Sequence, residues 1–180
     1  MQKTISILAV LLASSTAVFA QDVTLDVLGD DETLKGVLTG ASLALSLDPE
    51  EGLGSQDYIA AARADYRRLV TALYGQGHYG GTVSILVDGR EASSIAPLDA
   101  PRQISTVSLR VDPGPQFTFG KATLQPLPAG IVLPEGFAAG QVAQSKVIKQ
   151  AVGEGVDAWR SAGYAKAAAG DQQVTARHPQ

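Results

Sequence analysis

The two histidines carry most of the acid–base and metal-binding chemistry that this sequence could offer. The chain contains His78 and His178, and it has no cysteine. A zinc site needs three or four clustered ligands, and a serine-hydrolase triad would have to use one of these two imidazoles. No Gly-x-Ser-x-Gly elbow is present. We therefore predict no catalytic residue, no metal site and no cofactor, with His78 as an ordinary surface or turn histidine and His178 in a tail.

A glycine-rich string surrounds His78. Residues 75–80 match Gly-x-Gly-x-x-Gly, the spacing of a dinucleotide-binding fingerprint. That fingerprint follows a strand and opens a helix, whereas helical periodicity precedes this string and strand alternation follows it. We interpret it as a helix cap that leads tightly into a strand.

Charged residues also argue against several ligand classes. Asp48, Glu50 and Glu51 form a small acidic cluster, but they lack the alternating 12-residue frame of a calcium loop. The net charge is −4, with 14 basic and 18 acidic residues. Nucleic-acid binding needs clustered Lys and Arg, so this balance predicts no nucleic-acid partner.

Hydrophobic periodicity predicts the elements that carry these residues. Apolar residues recur every three or four positions in two segments and alternate with polar ones in three others. The predicted order is a strand over 23–27, a helix from Asp30 or Asp31 to about Leu45, a helix capped by Ser55 and ending at 74–77, and strands over 83–87 and 107–111. On the second helix, Tyr66 lies on the apolar stripe and Asp65 faces away from it. Residues 22–113 therefore have the pattern β-α-α-β-β.

A second, shorter series of elements, which we call the second round after the first over 22–113, is predicted after Pro115. It comprises a strand near 117–127, a short helix after Pro134, a longer helix capped by Ser145 and a weak strand over 165–176. The end of its longer helix, Trp159-x-x-x-Gly163, repeats Leu73-x-x-x-Gly77 from the first round. Tyr66, Tyr74 and Trp159 are interpreted as core anchors, since aromatic residues on an apolar helical stripe normally pack.

The N-terminus has the features of a secretory signal peptide. Lys3 precedes an apolar run over 5–13, and small residues at Val18 and Ala20 fit the positions that a signal peptidase reads. We expect cleavage between Ala20 and Gln21. Residues 1–20 would then be removed, and the rest of the chain would be exported.

This combination resembles the polypeptide-transport-associated (POTRA) domains of the BamA/TamA superfamily. The stretches over 73–85 and 111–120 are similar to the first such domain of TamA-type proteins and to the usual junction between consecutive domains. The resemblance covers roughly residues 22–180. It implies an α+β fold with tandem β-α-α-β-β domains over 21–114 and 115–180, the second of which lacks its last, central strand.

The resemblance also implies a function and a location. It implies a non-catalytic interaction module on the periplasmic face of the outer membrane of a Gram-negative bacterium, acting in outer-membrane protein and autotransporter assembly. The implied partners are a TamB-like protein and unfolded outer-membrane protein substrates. Family members reach the membrane through a C-terminal barrel that this sequence lacks, so we expect a truncated chain or a fragment. The alternatives are a two-partner secretion pore, BamA itself or a small periplasmic hydrolase.

One strand is a candidate binding edge. Thr82, Val83, Ser84, Ile85, Leu86 and Val87 include no proline and no charge. In the family that this chain resembles, the second strand lies at the edge of the sheet, and an open edge can accept an extended chain by strand addition. The alternative is an edge covered by the loop over 88–103. The sequence leaves both open.

Overall fold

A computed structural model describes residues 22–96, 99–175 and 177. The predicted cleavage residues Ala20 and Gln21 lie outside the described residues, as does His178. The described chain is α+β, with one four-stranded mixed sheet and three α-helices. In chain order these are β1 (Asp22–Val27), α1 (Glu32–Ala41), α2 (Ser55–Gly75), β2 (Thr82–Val87), β3 (Arg90–Glu91), β4 (Thr106–Asp112) and α3 (Ser145–Ser161).

The last long strand of the first round lies inside the sheet. The strand order is β1-β4-β2-β3, in which β4 pairs parallel with β1 and antiparallel with β2. Its side chains alternate between the two faces of the sheet: Val107, Leu109 and Val111 are buried on one face, while Thr106, Arg110 and Asp112 are exposed on the other.

Helices α1 and α2 form the core together with one face of the sheet. Their apolar stripes bury Leu34 and Leu38 of α1 and Ile59, Leu69 and Leu73 of α2. Within the described part of the chain, no helix has both the length and the apolar character needed to cross a membrane.

Helix α1 ends at Ala41, so the prediction that it would run to about Leu45 was wrong. The cause is Asp65, which is fully buried although we expected it to face away from the core. Its carboxylate accepts hydrogen bonds from Ser42 Oγ at 2.6 Å and from the backbone N–H groups of Leu43 at 2.7 Å and Ala44 at 3.0 Å. These bonds hold the chain in a non-helical turn, which continues as a short 3₁₀ segment over Ala44–Ser46.

The segment after β4 contains fewer elements than predicted. Of the described residues, 117–127 form one isolated bridge, Thr118 with Val142, and neither the short helix after Pro134 nor a strand over 165–175 is present. Pro126 removes a backbone donor that a strand over 117–127 would need. Helix α3 is the one predicted element that formed, but the prediction that Ser145 caps it was wrong: Ser145 is its first residue and Gln144 is its N-cap. In the same way Ser55 is the first residue of α2, whose N-cap is Gly54. The division at 114/115 into two POTRA-like domains stays a prediction.

Candidate interaction surfaces of the sheet

Strand β2, the candidate binding edge, lies between β4 and the two-residue strand β3. Strand β3 covers only its last two residues, through the pairs Leu86 with Glu91 and Val87 with Arg90. The tight connection between β2 and β3 consists of Asp88 and Gly89. Their φ values are both positive, 46° and 79°, as a two-residue type I′ hairpin turn requires. The outer side of residues 82–85 therefore extends beyond β3.

Side chains cover part of that remaining edge. The Asp88 N–H bonds to the carbonyl of Thr106 in β4, so by strand alternation Val83, Ile85 and Val87 direct their backbone groups outward. The Ile85 N–H donates to Glu91 Oε1 at 3.2 Å, and the Tyr66 hydroxyl lies 3.3 Å from the Ile85 carbonyl. An extended chain added along β2 would have to displace both side chains from Ile85.

Glu91 is held by several donors. Besides the Ile85 N–H, it accepts hydrogen bonds from the Tyr66 hydroxyl and, at 2.9 Å, from Ser84 Oγ. The Tyr66 hydrogen bond is the main cause that lowers the pKa of Glu91. Burial, and then the hydrogen bond to Glu91, raise the pKa of Tyr66. Both shifts favour the pair in its bonded form, a neutral phenol donating to a carboxylate.

We call this arrangement the Tyr66–Glu91 cap. Sequence reasoning placed Tyr66 on the packed stripe of α2 but did not give its hydroxyl a partner. Glu91 received no role, although its position two residues after the Asp88-Gly89 turn could have placed it across from Leu86. Of the outward-facing residues over 82–85, Val83 is the one whose backbone groups bond to no described residue.

No residue that the structure describes covers the opposite edge of the sheet, along β1, in this way. The Asp22 N–H bonds to the Ser105 carbonyl and the Leu28 N–H to the Val111 carbonyl, so these alternate residues face β4. The intervening Val23, Leu25 and Val27 direct their backbone groups away from the sheet, and no described residue hydrogen bonds to them. This open edge was not identified from the sequence.

The glycine-rich string forms the turn from α2 into β2. Gly77 has φ of 84°, and its carbonyl accepts a hydrogen bond from the Phe117 N–H at 2.9 Å. His78 is 7% exposed, and its Nδ1 lies 3.1 Å from the Gly114 carbonyl. His78 is thus buried directly after the turn residues Gln76 and Gly77, so the prediction that it could lie on the surface was wrong. No group of three ligand-type side chains that could hold a metal occurs among the residues described.

The remaining candidate residues lie apart from the sheet edges. Residues 49–51 of the acidic cluster form a 3₁₀ turn. Tyr74 is 40% exposed and contacts the ring of Tyr79, so its interpretation as a core anchor was wrong. Trp159 is half-buried, contacts the Tyr164 ring and donates from Nε1 to the Pro126 carbonyl at 2.8 Å. An open cleft of about 500 Å³ beside Trp159 has mainly apolar walls.

Comparison with known proteins gave no match: neither a protein-family model nor a curated protein sequence matches this chain. The function must therefore be inferred from the topology and the two sheet edges.

Proposed function

We propose that this chain is a non-catalytic periplasmic interaction module of a TamA-like outer-membrane assembly factor. The observation that carries the proposal is the topology of residues 22–112. The chain order is β-α-α-β-β apart from the short β3, the last strand lies centrally, and the second lies next to the edge. The resemblance of residues 73–85 and 111–120 to POTRA domains leads one to expect a central last strand and a second strand at the edge. The central position of β4 supports the proposal, whereas β2 differs from the expectation because β3 pairs with its last two residues.

The module binds extended protein chains at the edges of its sheet. Its partners are a TamB-like protein and unfolded outer-membrane substrates, and neither nucleic acid nor a small-molecule cofactor takes part. Strand addition suits many different substrates, because the hydrogen bonds come from the backbone and side chains give only loose selectivity. Two edges with unpaired backbone groups, one short at Val83 and one along β1, support this mode of binding.

The chemistry of the titratable groups favours binding over catalysis. Burial is the main cause that raises the pKa values of Tyr66 and Tyr79, and the Tyr66 hydrogen bond is the main cause that lowers the pKa of Glu91. Each of these has a structural hydrogen-bond partner, such as the Ala143 carbonyl that accepts from the Tyr79 hydroxyl at 2.5 Å. A hydrolase would need a polar pocket with a nucleophile beside its base, and these three groups do not form one.

The proposal is tested by expression in a Gram-negative host followed by a binding assay. We expect the periplasmic product to begin at Gln21 by intact mass. The purified product should bind a urea-unfolded outer-membrane protein when the urea is diluted. It should not bind the same protein in its folded state. Retention of Lys3 in periplasmic material would contradict the export step, and indifference to unfolded chains would contradict the binding function.

A further inference from the structure

The two long edges of the sheet differ in how many backbone groups they leave unpaired. Along β2, β3 covers Val87 and the Tyr66–Glu91 cap covers Ile85. Along β1, none of the three outward-facing residues, Val23, Leu25 and Val27, bonds to a described residue. Within the described part of the chain, strand addition to β1 therefore displaces no existing hydrogen bond, whereas addition to β2 does.

Charge around β1 distinguishes among the chains that could add there. Asp22 and Asp26 are exposed on the solvent-facing side of β1, and Asp30, Asp31 and Glu32 follow the strand immediately. Lys35 is 3.8 Å from Glu32, and Arg110 is the register partner of Asp26 on β4. The potential along this edge is thus negative, which favours a basic occupant.

The other face of the edge is apolar. The side chains of Val23, Leu25 and Val27 are half-buried and pack against the core, as do Leu43 and Leu47 from the segment after α1. Residues of an added strand alternate between the two faces of the sheet. Alternate side chains of the added strand would lie beside Asp22 and Asp26 on the solvent-facing side. The remaining side chains would lie beside the apolar residues on the core-facing side.

We propose that the outer edge of β1 binds an extended protein segment in which basic and apolar residues alternate. This inference rests on the proposed function and makes it specific. It places the principal binding edge on β1, and it specifies that basic and apolar residues alternate in the bound segment. The pairing of Lys or Arg with Asp22 and Asp26 fixes the register, while the backbone supplies most of the binding.

The test uses short fluorescent peptides and two matched pairs of variants of the mature protein. One peptide alternates Lys with Val and the other alternates Glu with Val. Val23→Pro removes an outward N–H from β1, and Val23→Ala keeps that N–H while shortening the side chain. Val83→Pro and Val83→Ala make the same comparison on β2. Thermal unfolding of every variant confirms that it is folded before its binding is measured.

We expect the Lys peptide to bind about tenfold more tightly than the Glu peptide at low salt, from two opposite-charge cross-strand pairs. Val23→Pro should weaken this binding roughly fivefold relative to Val23→Ala, the loss of about one hydrogen bond. The two Val83 variants should bind alike. Amide signals of Val23, Leu25 and Val27 should gain protection from exchange when the peptide is bound.

The possible failures are distinguishable. If Val83→Pro weakens binding and Val23→Pro does not, or if the Glu peptide binds as well as the Lys peptide, the β1 inference is overturned while the proposed function stands. If neither these peptides nor unfolded outer-membrane protein bind to the folded wild-type protein, both are overturned.

Discussion

At the scale of single residues, Asp65 shows how one buried polar group can define a local structure. Its carboxylate is fully buried and satisfies three donors from the segment over 42–44, more than twenty residues away in sequence. Hydrophobic periodicity could not predict this role, because it identifies the buried face of α2 from its apolar residues alone. The three donors also become neighbours of Asp65 only in the folded chain. The same reasoning explains why the Tyr66–Glu91 cap was missed.

Asp65→Asn should lower the free energy of unfolding by about 3 kcal/mol, because the amide cannot accept the same bonds and buried donors are left unsatisfied. Urea denaturation monitored by circular dichroism measures this loss. Asp57→Asn on the same helix is the matched control. Asp57 is exposed and accepts a single cap bond from the Gly54 N–H at 2.9 Å, so its loss should be about 1 kcal/mol or less. Equal losses in the two variants would show that Asp65 does not hold the turn.

The Tyr66–Glu91 cap should make stability depend on pH. The folded pKa of Glu91 lies below its unfolded value. Its contribution is therefore fully present above the unfolded pKa, near 4.3, and is lost as the pH falls through the folded pKa. The difference in urea midpoint between the wild type and Glu91→Gln should shrink over that acidic window. A difference that stays constant with pH would mean that the carboxylate charge plays no part.

At the scale of elements, the sequence was most informative where the residues of a single helix or strand show a complete hydrophobic period. Strand β4 and helix α2 were predicted nearly to their observed ends, because each has an uninterrupted apolar period and a clear stop. The position of β4 inside the sheet was expected from the resemblance and could not follow from periodicity. Strand β3 was missed because two residues are too few to show alternation.

The turn between α2 and β2 is an element whose geometry demands glycine. A Cβ on Gly77 would lie 2.8 Å from Val142 Cγ1 and 3.2 Å from the Phe117 carbonyl, at a φ of 84°. Gly77→Ala should therefore cost about 2–3 kcal/mol and separate the turn from the segment after β4. Gly75→Ala is the control, since a Cβ at Gly75 meets no atom within 4 Å. That variant should be neutral or stabilising by up to about 1 kcal/mol. Thermal unfolding compares the two, and equal effects would contradict the packing at Gly77.

At the scale of the whole molecule, burial is distributed unevenly along the chain. The main core cluster draws all its residues from 34–111, whereas α3 buries only Ala151 and Gly155. A missing central strand was expected for the second unit, and a continuous sheet is absent from the described residues that follow β4. The sequence could suggest a repeat, but it could not show how a unit without a sheet would pack.

Amide hydrogen exchange on the mature chain should reflect this difference. We expect strong protection over 107–111 in the central strand and little over 148–159 in α3, because local opening costs less where few apolar contacts are lost. Limited proteolysis should cut the segment after β4 first. Equally strong protection in both regions would show that the segment after β4 folds as part of the same cooperative unit.

The parallel pairing of β1 with β4 has a mechanical consequence. The described chain enters at the start of β1 and leaves the sheet at the end of β4, and six register pairs join these two strands from Asp22 with Thr106 to Val27 with Val111. Tension applied to the two ends would load that ladder in shear, along the strands, so its hydrogen bonds would have to break together instead of one after another. Pulling the molecule in optical tweezers should give a single high-force rupture for residues 22–112. A low-force, stepwise extension would indicate that the load bypasses this pair of strands.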